Sequence, residues 1–152
     1  MFMIPSSQAS EYPRPGFLIH RVKRLFEREN ERRLAPRKVH FGQIPVIVSL
    51  GSSGRQTQTQ LAKFACVEQP TMANLLDRME RDGLIERIPD PTDRRSSLVT
   101  LAPDGEAAFP VVIQVLEEVN DHAYSGFSKD ERLLFTSMLR RMISNLEALG
   151  DE

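Results

Sequence analysis

The sequence predicts a mainly α-helical protein with one small β-hairpin. Three observations carry that prediction. "TQTQLAKFACVEQPTMANLLDRMERDG", residues 57–83, reads as two short helices joined by a tight turn. "LIERIPDPTDRRSSLVTL", residues 84–101, reads as strand, charged tip and strand. The flanking segments carry apolar stripes at helical spacing with no local partner, which a second copy of the chain would supply. The expected architecture is therefore a winged helix-turn-helix lobe plus N- and C-terminal dimerisation helices.

The chain has 152 residues, the size of one domain with added dimerisation helices. At 40% hydrophobic residues it can build a core. No window approaches 18 continuous apolar residues, which excludes a spanning helix. The start, "MFMIPSSQASEYPRPG", lacks a basic region followed by an apolar one, so a cytoplasmic location is expected. The single cysteine, Cys66, excludes an intrachain disulfide framework and a CxxC site.

Residues 1–16 form an N-terminal arm in this reading. Residues 17–38 are the N-terminal dimerisation helix, with Phe17, Leu18, Val22, Leu25 and Phe26 at helical spacing up to Leu34. A second helix is expected from Phe41 to Leu50, with Pro45 tolerable in its first turn and "GSSG" as the breaker. Arg55 and Gln56 form a very short strand. Thr57 caps the third helix with Gln60 as capping-box partner, and Leu61, Ala62, Phe64 and Ala65 give it a packable face. Cys66 and Val67 are the turn.

The fourth helix begins near Glu68 or Gln69, accepts Pro70 in its first turn and stops at Gly83. Met72, Leu75, Leu76 and Met79 form its apolar stripe. Pro70, Thr71, Ala73, Asn74, Asp77, Arg78 and Arg81 lie off that stripe. Strands from Leu84 to Ile88 and from Ser97 to Leu101 enclose a tip from Pro89 to Ser96. Residues 39–102 thus make up the winged lobe, and residues 103–152 the C-terminal dimerisation helices. The first of these starts near Pro103, with Pro110 kinking or delaying it. The second is capped by Ser128 and Glu131.

The function follows from dimensions. The major groove is about 12 Å wide and admits one helix, whose early residues reach base edges. A hairpin immediately after that helix carries an arginine tip to the backbone or to the neighbouring minor groove. Net charge, only −1, makes no global case for nucleic acid, but its distribution is uneven. Residues 14–38 hold nine Lys/Arg against three Asp/Glu, and residues 104–152 hold four against ten. Most of these charges fit solvated helix faces equally well. From Asp77 to Arg95 six acids accompany five arginines, so affinity must come from geometry rather than from a broad field.

Residues 57–105 resemble the MarR family of bacterial transcriptional regulators. "LAKFACVEQPTMANLLDRMERDGLIER" is similar to that family's two-helix reader, and "DPTDRRSSLVTLAPDG" to its wing pattern of Asp-x-Arg, three residues, then Val-x-Leu-Thr. Asp93, Arg95, Val99 and Leu101 fall on the pattern, and Ala102 replaces the threonine. "FGQIPVIVSL" resembles the helix before the reader, and "VEQPTM" is closest in flavour to the SlyA-like branch. The resemblance implies a homodimer that binds a pseudo-palindromic double-stranded DNA operator, often as a repressor. It also implies release by a small aromatic or phenolic anion. Carried over by position, Gln69, Pro70, Thr71, Ala73 and Asn74 face the major groove, and Thr57 and Gln58 meet backbone phosphates. Arg94 probes the minor groove, while Arg95 touches phosphate or pairs with Asp93 to shape the wing. Arg78 either binds phosphate or joins a local ion pair. Two departures stand out. Cys66 occupies a turn usually given to glycine, and His40 a cap usually given to threonine.

The remaining residues argue for little chemistry. Cys66 reads as a small, partly buried turn residue rather than a redox sensor. His20, His40 and His122 are too scattered for a metal site. His20, Arg24 and His40 form a candidate effector pocket for an anion, against simpler solvated or capping roles. No cofactor and no catalytic constellation is expected, and "GSSG" lacks the lysine of a phosphate loop. The competing reading is a winged-helix protein-interaction module without DNA binding.

Overall fold

The computed structural model describes residues 14–93 and 95–150. Most of the proposed N-terminal arm and Arg94 lie outside them. The chain divides into two compact units, Met1–Leu116 and Glu117–Glu152. The fold is mostly helical with a two-stranded antiparallel hairpin.

In the first unit, α1 spans Pro15–Leu34. It starts two residues earlier than Phe17, because proline suits the first helical turn. Its outer charges are spent on neighbours: Lys23 pairs with Glu27 at 3.2 Å and Arg32 with Glu29 at 2.9 Å. Phe17, Leu18, Ile19, Val22 and Leu25 remain exposed, while Asn30 and Leu34 are buried. Two short 3₁₀ turns, Ala35–Arg37 and Phe41–Gln43, lead into α2, Ile44–Ser53.

The helix α2 corrects the reading of "GSSG" as a breaker. It runs through Gly51, and Gly54 ends it at φ 75°. Gly51 has a packing task instead: a Cβ there would stand 2.3 Å from the Phe109 ring.

The reader helices are α3, Gln58–Ala65, and α4, Gln69–Arg81. The Thr57 hydroxyl accepts from the Gln60 N–H at 3.2 Å, and the Thr57 N–H donates to Gln60 Oε1 at 2.8 Å, completing the capping box. Leu61 and Ala62 are buried, but Phe64 is 56% exposed. The expectation that Phe64 packs inward fails for a geometric reason. At 100° per residue it points roughly 105° away from the stripe centred on Leu61, Ala62 and Ala65. In α4, Met72, Leu76 and Met79 are fully buried and Leu75 half-buried.

The wing pairs β1, Ile85–Pro89, with β2, Ser97–Leu101, in register Ile85↔Leu101 and Arg87↔Val99. Gln56 adds a single bridge on the other side of β2, exchanging backbone hydrogen bonds with Val99 at 3.1 and 2.7 Å. Its side-chain amide also bonds the Ser49 carbonyl at 2.9 Å, tying α2 to the wing base.

Then α5 spans Pro103–Ala123, and its helix continues through Pro110. Gly105, in its first turn, packs against Leu84, the residue before β1, since a Cβ would stand 2.0 Å from the Leu84 carbonyl oxygen.

In the second unit, Tyr124, Phe127 and Phe135 stack edge to face with centroids 5.5 to 6.4 Å apart. Ser128 caps α6, Lys129–Leu149, with Glu131 closing the box. No residue of α6 is buried, and Leu133, Leu134, Phe135, Met138, Ile143, Leu146 and Leu149 are all exposed. No described helix is long and apolar enough to cross a membrane.

Candidate nucleic-acid interface

The buried stripe of α4 decides what its other face presents. Gln69, Pro70, Thr71, Asn74 and Arg78 are exposed, while Ala73 is half-buried. Pro70 lies in the first turn, where its missing N–H costs nothing. Arg78 bends back, its Nε donating to the Asn74 carbonyl at 3.3 Å. Thr57 and Gln58 are half-buried at the start of α3. Gln58 Nε2 donates to Gln69 Oε1 at 3.1 Å, joining the starts of the two helices.

Between them sits the turn at Cys66, in the left-handed region at φ 54°, ψ 45°. The left-handed turn is thus made at a non-glycine residue and carries strain. Cys66 is exposed, not partly buried as expected, because Leu61 and Ala62 already fill the angle toward the core.

The wing tip is built from aspartates bonded to backbone. Asp90 accepts from the Thr92 hydroxyl at 2.7 Å and the Thr92 N–H at 2.8 Å, which hold its carboxyl below the usual range. Asp93 accepts from the backbone N–H of Arg95 at 2.9 Å. Among the described residues Asp93 makes no ion pair with the Arg95 guanidinium. Arg95 is exposed.

A further tie went unread in the sequence. Arg87 of β1 pairs with Asp77 at 2.7 Å and with Glu80, both on α4. Burial opposes its charge, but the two carboxylates outweigh that and raise its pKa above the ordinary arginine value. The signal was present: a charge in the inward phase of a strand, following acids spaced i, i+3 on the preceding helix. Two of the acids crowding the reader are thereby neutralised. Arg81 makes no ion pair among the described residues.

His40 sits apart from His20 and Arg24. Its Nδ1 lies 3.0 Å from Glu31, whose other oxygen accepts the Phe41 N–H at 2.6 Å. These two contacts, the His40 ring first, hold Glu31 below the ordinary carboxylate value. His20 and Arg24 lie roughly 10 to 17 Å up α1 from Glu31 at 1.5 Å per residue. Arg24 pairs with Glu27 at 3.3 Å. His40 instead lines a groove of about 720 Å³ with Arg37, Lys38, Asp82 and Asp104 over an Ala107, Ala108 and Val111 floor. No group of three or more His, Cys, Asp or Glu among the described residues is placed to hold a metal.

The sequence profile of the MarR family matches residues 42–97, from α2 through the wing tip. The transcriptional repressor NicR of Pseudomonas putida is 28% identical over 108 residues, 71% of this chain and 68% of that one. A mutant MarR from Escherichia coli complexed with operator DNA superposes at a TM-score of 0.77 with 26% identity, covering 84% of this chain and 91% of the other. Over residues 42–97 the chain is therefore similar to the MarR family.

A second structural neighbour is BpsR from Bordetella bronchiseptica, described with regulation of its DNA binding by 6-hydroxynicotinic acid. It superposes at 0.76 with 25% identity over 86% of this chain and 98% of that one. The transcriptional regulator SlyA superposes at 0.83 over 88% and 94% with 20% identity, a likeness of fold alone. The fully buried positions of α4 fall inside the matched stretch, and so does the Arg87 tie.

Proposed function

We propose that this chain is a sequence-specific DNA-binding transcriptional regulator, a ligand-responsive repressor acting as a homodimer on pseudo-palindromic operators. One observation carries the reading: α4 buries Met72, Leu76 and Met79 completely and turns Gln69, Pro70, Thr71 and Asn74 outward, beside a hairpin whose tip carries an exposed Arg95. Ala73, half-buried, fits close approach to the groove better than a long side chain. Thr57, Gln58 and Arg78 are assigned to the phosphate backbone and Asp93 to wing shape. The Arg87 tie favours this reading over a protein-interaction module, because it removes Asp77 and Glu80 from the field a phosphate would meet.

Dimerisation is supported by α1, with five exposed large apolar residues between Phe17 and Leu25, and independently by α6, with seven. Residues 17–38 and 103–152 are accordingly the dimerisation segments and 39–102 the DNA-binding lobe. The effector is a small aromatic or phenolic anion. It is assigned to the groove where Arg37, Lys38 and His40 stand among Glu31, Asp82 and Asp104, with His20 and Arg24 outside it. The protein acts in the cytoplasm and is not an enzyme.

The test is fluorescence anisotropy with duplex DNA from upstream of the gene, across a salt series. Sequence-preferring, salt-sensitive binding is expected. The double variant Arg94→Ala, Arg95→Ala should weaken it at least tenfold at moderate salt and flatten the salt slope by about 2. Absence of preferential binding to any genomic DNA sinks the reading and leaves the protein-interaction module.

A further inference from the structure

The glutamines that open the two reader helices are bonded to each other. Gln58 is the first residue of α3 and Gln69 the first of α4. Gln58 Nε2 donates to Gln69 Oε1 at 3.1 Å, across eleven positions of chain. A side-chain amide has two N–H donors and one oxygen with two lone pairs. A free glutamine presents either edge by turning its terminal amide through a half-circle. Here a turn of Gln69 alone would set its NH₂ against the donor of Gln58, so the two amides turn only together, and in either arrangement Gln69 keeps an open lone pair beside an open N–H. In the bond as it stands, what remains on Gln69 is one lone pair beside two N–H groups. Adenine offers the complement in the major groove: the N6 amino group as donor and N7 as acceptor.

We propose that Gln58 and Gln69 act as one reading unit, in which Gln58 clamps the Gln69 amide and Gln69 reads an adenine through N6 and N7. This rests on the DNA-binding reading above and deepens it. Gln58 is a positioning residue. Its remaining N–H and the open N–H groups at the start of α3 face the phosphate backbone.

The test uses the full-length protein and an operator selected from genomic fragments. Each half-site adenine is replaced in turn by another base, by 7-deazaadenine (no N7 acceptor) and by purine (no N6 amino group). Affinity for random duplex and thermal melting are measured in parallel. One adenine per half-site should show a loss of roughly 5- to 150-fold on replacement by another base, with part of that loss from either analogue. Gln69→Ala should abolish that preference alone. Gln58→Ala and Gln58→Glu, which cannot donate, should reduce it at the same position while random-duplex affinity, taken as the baseline, absorbs any general effect. The double variant should be no worse than Gln69→Ala at that position. Unchanged base preference in both Gln58 variants overturns the clamp. A preference for guanine rather than adenine at the Gln69-dependent position overturns the assignment. Wild type without specific duplex binding overturns the DNA reading and this proposal together, whereas specific binding with an indifferent Gln58 overturns this proposal alone.

Discussion

The turn at Cys66 offers a direct test of the helix-turn-helix geometry. An L-residue in the left-handed region carries about 1–2 kcal/mol of strain, and Cys66 sits there at φ 54°. Cys66→Gly removes the strain. It also gives the unfolded chain more freedom, which returns about 0.4–1 kcal/mol. The thiol itself holds little: it is exposed, and its Sγ reaches the Lys63 carbonyl only weakly, at 3.8 Å. The net expectation is a gain of about 0.5–1 kcal/mol, or about 2–4 °C per kcal/mol in Tm for a chain of this size. Cys66→Ala keeps the strain and should lie within about 0.5 kcal/mol of wild type. Cys66→Val adds a β-branched side chain to a left-handed backbone and should cost more than about 1 kcal/mol. Urea melts of the four proteins at one fixed concentration give the order Gly, then wild type with Ala, then Val. If Gly proves no more stable than wild type and Val no less, the turn does not pass through the left-handed region and the reasoning is wrong.

Gly105→Ala places a Cβ 2.0 Å from the Leu84 carbonyl oxygen, a backbone atom that also accepts the Ala102 N–H at 3.0 Å. Calorimetry should show a loss of about 1–3 kcal/mol or more, and an unaffected melt would mean α5 and Leu84 are not so closely packed. Glu31 is held below its ordinary carboxylate value of 4.5 by His40 and the Phe41 N–H. Its folded pKa lies below the unfolded one, so its stabilisation is present above about 4.5 and fades as pH falls through the folded value. The stability gap between wild type and Glu31→Gln should therefore narrow from pH 7 to pH 3, and a gap that widens toward acid contradicts the assignment. Leu134→Lys or Phe17→Lys, each on an exposed apolar face, should shift sedimentation toward monomer at micromolar concentration while far-ultraviolet circular dichroism stays helical. Variants that sediment as wild type would remove these faces from the interface.

Much of the lobe was legible because its signals are local. The Thr57–Gln60 and Ser128–Glu131 boxes depend on residues three apart, and both form as expected. The α4 stripe depends on a 3.6-residue period and ends up fully buried at Met72, Leu76 and Met79. The misreadings share a different cause. Gly51 lies inside a helix, and its packing partner is Phe109, 58 positions later, whose ring occupies the space of the absent Cβ. Phe64 looked packable because apolar spacing alone does not say where an eight-residue helix centres its buried face. Asp93 looked like an ion-pair partner of Arg95, yet two-residue spacing at a tip lets its carboxylate reach the backbone N–H instead.

The capped starts of α3 and α6, the buried stripe of α4 and the hairpin with its tip are legible in the sequence, since each follows from chemistry within a few residues. Which polar groups are free to act is set by contacts between elements far apart in the chain. Arg87 takes up Asp77 and Glu80 from ten and seven positions away, Gln58 takes hold of Gln69 from eleven, and Glu31 engages His40 from nine. Those pairings are set by how helices and strands approach one another. Side-chain hydrogen bonds across elements require atoms within about 3 Å, a separation that no periodicity along the chain encodes.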